Sequence, residues 1–209
     1  LCCLWCPELV AQHEKADSLK QVLATTDDVA LQIKILNYLT NQYLYVSTDT
    51  STHYADRALE LAKASHLEKE LSFVYRLKGI IDFHSGKLNS AITYYDSSLV
   101  LRKKLHDVQG EVLILNNKAL AYQHLGSQEI AKNMFFQALE LAEKHALAPN
   151  QADICNNLGM HYKGIAAYDS AMHFYQKSLD INLTLENTAE VALIKSNIAT
   201  INFHRNDVL

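Results

Sequence analysis

A chain of 209 residues that is 49% hydrophobic and 20% charged has enough apolar surface to bury a core, which excludes a disordered tail. Its formal charge of −4 gives no electrostatic footprint for nucleic acid or an anionic membrane, and no run of about 18 apolar residues offers a bilayer span. Only 6 Gly and 2 Pro are present, and both prolines (Pro7 and Pro149) lie outside the periodic runs, which predicts helices joined by very short turns.

The chain opens on an apolar stretch, Leu1 to Cys6, followed by Pro7, by Leu9-Val10-Ala11-Gln12, and by a charged helix-forming segment from His13. Residues 1–12 read as the remnant of a signal segment cleaved near Ala11 or Gln12, so the expected location is exported, periplasmic or cell-envelope. The other reading is an apolar strip packed on the first helix of a cytoplasmic protein. Cys2, Cys3 and Cys6 sit in this segment and Cys155 stands alone, so its removal leaves one thiol and no internal disulfide. Cys3 and Cys6 form a C-x-x-C without a second pair or a His partner, and no metal is expected. Residues 13–27 are expected to hold a capping helix, over about 13–24, and a linker.

From residue 28 onward the chain repeats itself. A small residue recurs as Thr40, Gly79, Ala119, Gly159 and Ala199, at steps of 39, 40, 40 and 40. Three residues later stand Tyr43, Asp82, Tyr122, Tyr162 and Asn202, and seven residues after the small residue comes a turn position, Gly86, Gly126, Ala166 and Asn206. Ala-x-x-x-aromatic then follows as Ala91 to Tyr95, Ala131 to Phe135 and Ala171 to Tyr175, each with Ser98, Ala138 or Ser178 three residues on. The spacing predicts A helices over 28–46, 67–85, 107–125, 149–165 and 188–205, and B helices over 48–64, 87–104, 127–146 and 167–185. Thr26-Asp27 should cap the first A helix, and Pro149 suits an early position of the fourth. The repeats run over about 28–66, 67–106, 107–147 and 148–187, with a partial one over 188–209. That last repeat has only its A helix, so Val191, Ile194, Ile198 and Ile201 are expected to lie partly bare and the natural chain to continue.

The L-G-x-x-Y, A-x-x-x-F and A columns of residues 28–209 resemble those of tetratricopeptide repeats. The resemblance implies an all-α fold: a right-handed superhelical solenoid of antiparallel helix pairs, in which helix A lines a concave groove. The period here is 40 residues instead of the usual 34, and the proline that ordinarily closes each repeat is missing. Long repeats of this kind are similar to those in the input regions of bacterial sensor kinases and helix-turn-helix regulators.

Columns beside the small residue supply the candidate partner-binding residues. Three before it stand Asn37, Arg76, Asn116 and Asn156, and two before it Asn117, Asn157 and Asn197. Asn41 follows by one, and Gln123 and Lys163 by four. Amides carry both donor and acceptor, so a stacked ladder of them can grip the backbone of an extended peptide; equally, they can bond to neighbouring helices and stiffen the stack. Chaperone-binding tetratricopeptide domains use a basic clamp for a carboxylate, whereas Arg76, Lys34 and Lys163 are widely spaced here. His84, His124 and His204 share a column, but equivalent atoms of packed repeats stand roughly 10 Å apart, too far for one ion. No phosphate loop, nucleophile elbow or Cys–His setting is present, so no catalytic residue and no cofactor is expected. The expected function is non-catalytic binding of a protein or peptide as the sensory or regulatory input of a larger bacterial signalling protein, or else as a free-standing scaffold. Nucleic acid is not an expected partner of this segment, and self-association through the convex face or the last repeat is a further option.

Overall fold

Every turn between helices except the first two is closed by a residue in the left-handed backbone region. In the computed structural model, which describes the backbone of residues 7–206 and the side chains of residues 15–203, these are His66, Gly86, His106, Gly126, Ala146, Ala166 and Glu186, one every 20 residues. At each, two bonds tie the turn to the preceding helix. Gly86 N–H donates to Phe83 O (3.0 Å) and Lys87 N–H to Asp82 O (2.8 Å), and the same pair recurs at Ala146 and Leu147. This satisfies carbonyls that the helix end leaves open and stops the helix without proline.

The helices are α1 (Pro7–Thr25), α2 (Val29–Tyr43), α3 (Thr48–Ala64), α4 (Glu68–His84), α5 (Leu88–Lys104), α6 (Val108–His124), α7 (Gln128–Lys144), α8 (Ala148–Gly164), α9 (Tyr168–Thr184) and α10 (Thr188–Asn206). From α3 to α9 each has 17 residues, about 25 Å, so a three-residue turn forces the next helix to run back alongside. Two hydroxyls show it directly. Ser98 Oγ, late in α5, donates to Ser72 O, early in α4, at 2.6 Å, and Ser178 Oγ of α9 donates to Ala152 O of α8 at 2.7 Å.

The expected boundaries hold to within two residues except at the N-terminal helix and the end of α2. Pro7 opens α1, where a missing N–H costs nothing, so the helix begins six residues before the expected 13 and takes in residues 7–12 of the supposed signal segment. Residues 1–6, with Cys2, Cys3 and Cys6, lie outside the described residues. The cap of α2 is Asp28, which accepts from Leu31 N–H (3.1 Å), while Thr26 Oγ1 accepts from Asp28 N–H. At the other end α2 stops at Tyr43 instead of 46. Seven residues after Thr40 stands Ser47, which is extended instead of left-handed and caps α3; its N–H returns to Tyr43 O and the turn takes four residues. That gives 15 + 4 = 19 residues for this half-repeat in place of 17 + 3 = 20, the origin of the single step of 39.

The chain divides between Leu101 and Arg102 into two compact units, with the backbone helical through the division in α5. In the first unit Ala16 and Leu23 of α1 pack on Ile33, Leu36 and Leu39 of α2, with Ala58 and Ala62 of α3 and Val74 of α4. In the second, Phe135 of α7 sits among Ala119 of α6 and Leu158 of α8, and Tyr175 of α9 among Ile194 and Ile201 of α10. The rings of Tyr95 and Tyr175 lie on Gly79 and Gly159 of their own A helices. One expectation changes at the last helix. Ile194 and Ile201 are fully buried against α9 instead of partly bare, while Val191 and Ile198, packed beside them, stay partly exposed as expected. Helix α9 covers the face of Ile194 and Ile201, and the exposed residues of α10 are mixed, Lys195, Ser196 and Asn202 beside Leu193 and Phe203. No described helix is long and apolar enough to cross a membrane.

Candidate amide seam on the A helices

The ten candidate residues fall on the A helices, three in the first unit and seven in the second. On α2, Asn37 is buried to 6% exposure and Asn41 is exposed, while Arg76 of α4 holds its guanidinium 4.7 Å over the Phe73 ring. On α6, Asn116 is buried and Asn117 and Gln123 are half-buried; on α8, Asn156, Asn157 and Lys163 are half-buried, as is Asn197 on α10.

The second unit brings four of these amides into pairs. Asn157 donates from Nδ2 to Asn116 Oδ1 at 2.9 Å, and Asn197 donates from Nδ2 to Asn156 Oδ1 at 3.4 Å. The rule is the same in both: the asparagine two before the small residue donates to the asparagine three before the small residue of the preceding repeat. Stacking successive A helices in register places these columns opposite one another. Each pair uses one donor and one acceptor, so Asn116 Nδ2 and Asn157 Oδ1 retain capacity for another partner. The amides therefore tie each A helix of the second unit to the next, and each pair leaves one amide donor group and one acceptor outside the bond.

A third bond of this kind was not foreseen. His161, 2% exposed on α8, donates from Nδ1 to Gln123 Oε1 of α6 at 3.2 Å and lies edge-on to Phe135 and Tyr162. Burial, and then the Lys132 ammonium, hold the imidazole below its ordinary pKa, with Glu129 opposing them. The signal was present: two after the small residue stand Ile81, Ala121 and Ile201, all buried, with half-buried Gln42 in the first repeat the other polar member. Lys78 and Lys118 escaped notice in the same way. They occupy the buried column of Leu39 and Leu158, and Lys78 pairs with Asp56 beneath the Tyr94 ring. Such long stems can be buried while the ammonium finds an anion.

Of the expected histidine column, His84 meets exposed Tyr45 edge-on, with the rings 5.0 Å apart, and the side chain of His204 lies outside the described residues. Among the described residues no group of three or more His, Cys, Asp or Glu side chains is placed to hold a metal ion.

The tetratricopeptide repeat family model matches residues 113–145 and 152–184, which cover α7 and α9 and most of α6 and α8. No curated protein matches the chain in sequence. Among solved structures, BtubC (BKLC) from P. vanneervenii is similar with a TM-score of 0.74 and 17% identity, over 95% of this chain and 83% of that one. A signal transduction ATPase with numerous domains from Pyrococcus horikoshii, which has a tetratricopeptide repeat sensor, gives 0.77 and 16% over 91% of this chain and 30% of that one. Aspartyl phosphate phosphatase F from Bacillus subtilis gives 0.76 and 15% over 94% and 58%. The chain thus spans under two thirds of the length of the latter two, and identities this low speak to fold alone. Residues 113–145 and 152–184 thus match two tetratricopeptide repeats in sequence, and the same helical hairpin recurs in each unit.

Proposed function

We propose that the A-helix seam binds an extended peptide segment of a protein partner, and that the chain serves as the sensory or regulatory input of a larger bacterial signalling protein. The observation that carries the first part is the pair of amide bonds Asn157–Asn116 and Asn197–Asn156. A side-chain amide already fixed by one bond costs little entropy to use for another, and its free donor and acceptor match one peptide group. Tetratricopeptide repeats have an interaction or scaffold role, which suits this reading and gives no part to catalysis or to a cofactor. The second part is supported by the P. horikoshii protein, where repeats of this fold form a sensor within a chain of which this one covers 30%. An exported location follows only if residues 1–12 are a signal segment. A free-standing scaffold is the alternative, and it uses the same seam.

Purified chain would serve as bait for a pull-down, alongside the double variant Asn117→Ala with Asn157→Ala. Loss of the captured partner, with helix content and melting temperature close to the parent, supports the seam. Undiminished capture by a folded double variant would remove it.

A further inference from the structure

Two side-chain bonds tie α8 to α6, and they respond differently to a proton. Asn157 Nδ2 donates to Asn116 Oδ1 at 2.9 Å, and His161 Nδ1 donates to Gln123 Oε1 at 3.2 Å. Amides keep one charge state at every physiological pH, whereas an imidazole changes its charge near a pH of about 6.5. The first bond is therefore indifferent to pH, and the second brings a titratable ring into the packed interior, where it is 2% exposed. Packing alone does not call for histidine here. The same column is filled by buried Ile81, Ala121 and Ile201 in α4, α6 and α10.

The surroundings of the ring suit its neutral form. A neutral imidazole has one N–H to place, and Gln123 accepts it; the imidazolium has two N–H groups and a full charge. Among the described residues, Gln123 is the hydrogen-bond partner of the ring. Helix α6 thus offers the ring a neutral amide, and α8 offers the Tyr162 phenol, whose ring stands 5.4 Å away. From α7 come the Phe135 ring at 6.1 Å and the ion pair of Lys132 with Glu129, whose ammonium acts on the imidazole more strongly than its carboxylate does. A proton arriving here is left without a carboxylate to bond.

Both members of the bond sit at helix ends. His161 lies in the last turn of α8, and Gln123 is the residue before the end of α6. Such ends open locally without unfolding the helix behind them. An imidazolium released there also meets the open carbonyls and negative end of α8, which favour a cation.

We propose that His161 is an acid-released latch: the neutral ring holds the ends of α6 and α8 together through Gln123, and uptake of a proton expels the imidazolium and frees those ends, while the Asn157–Asn116 bond stays made. The second unit would thereby register acidification as a local loosening. This goes beyond the peptide-binding reading and does not rest on it.

Hydrogen exchange of the full chain, corrected for intrinsic rates, tests the latch at pH 7.5 and 5.0 on the parent, His161→Gln and Gln123→Glu. The parent should lose protection by about three- to thirtyfold over 117–124 and 158–164, the upper figure being set by the interval from about 6.5 to 5.0. Residues 168–184 and 188–203 should change little. His161→Gln should show no such loss, and Gln123→Glu a smaller one, because a carboxylate accepts from the imidazolium and holds it. Equal losses in the parent and His161→Gln overturn the proposal, as do losses spread evenly over α9 and α10, which mean that the whole unit loosens. A Gln123→Glu chain that loses as much as the parent overturns it too. The ring proton of His161 in the NMR spectrum of the parent gives a reading that needs no variant. Its midpoint should coincide with the loss of protection, and a midpoint at or above about 6.5 overturns the latch.

Discussion

A Cβ atom added to Gly159 would stand 2.5 Å from the ring of Tyr175, so the flat side of helix α8 and the aromatic ring of α9 are shaped to one another. Tyr175 is fully buried, and burial pushes its hydroxyl up to about 12. The ring has nowhere to go, because Ile194 and Ile201 of α10 close its other side. Gly159→Ala should therefore destabilise the second unit by about 1–3 kcal/mol, even though alanine is the better helix former by about 1 kcal/mol. Thermal unfolding monitored by circular dichroism reads it. A melting temperature equal to or above the parent's would show that α8 and α9 slide apart at no cost. Ala119 stands at the corresponding place beside Phe135, so tolerance of a methyl group depends on the partner ring's seating and not on the column alone.

Ala166 has a φ of 57°, where Gly86 and Gly126 hold the equivalent turns with φ of 73° and 80°. An L-residue in that region costs about 1–2 kcal/mol, against about 0.5–1 kcal/mol of added chain entropy for glycine. Ala166→Gly is expected to stabilise the turn between α8 and α9 by a few tenths to about 1 kcal/mol. Gly126→Ala should lower stability by a similar amount. Urea unfolding of the two variants gives opposite shifts of midpoint if backbone strain is the cause, and shifts of one sign if it is not.

The periodic part of this fold was legible because three constraints fall on three fixed columns. Close helix approach demands a small residue at Gly79, Ala119 and Gly159, the space opposite demands Tyr95, Phe135 and Tyr175, and the left-handed turn favours Gly86 and Gly126. Each is a steric demand that few residues meet, so the residues disclose the geometry. The asparagine columns were less legible because an amide satisfies two demands alike. Which amide bonds to which depends on how far one A helix is displaced against the next, and that displacement leaves no mark on residue type. The breaks in a column carried more information than the column did. Leu77 among asparagines marks an unpaired acceptor at Asn37, Lys78 and Lys118 among leucines mark buried cations, and Ser47 in the column of Gly86 and Gly126 marks a turn that closes differently.

Cys155 is fully buried on α8 among Phe135, Ala138 and Leu158, and burial pushes its thiol up to about 11. The thiolate is the reacting species, so the native chain at pH 8 presents almost none of it at this position. Iodoacetamide should leave Cys155 unmodified in buffer and alkylate it fully in denaturant, read by mass spectrometry of the peptide that contains it. Labelling of Cys155 in the native chain at the rate of a free thiol would mean that α7 and α8 separate on the timescale of the reaction.

His161 gives the second unit a pH dependence of definite sign. Its imidazole is neutral in the fold, bonded through Nδ1 to Gln123 and edge-on to Phe135, and its pKa lies below the ordinary value of about 6.5. The unfolded chain thus takes up a proton at a pH where the folded chain does not. Stability from this residue is present in full above about pH 6.5 and is lost as the pH falls from there through the folded pKa. The charged groups facing the ring include Lys132 and Glu129 of α7, which form an ion pair with each other. His161→Gln keeps a donor for Gln123 and removes the titration. Melting temperatures at pH 7.5 and 5.5 should fall further for the parent than for His161→Gln, the difference between the two proteins cancelling the histidines they share. Equal decreases would place the proton elsewhere and leave the bond between α6 and α8 a fixed strut of the stack.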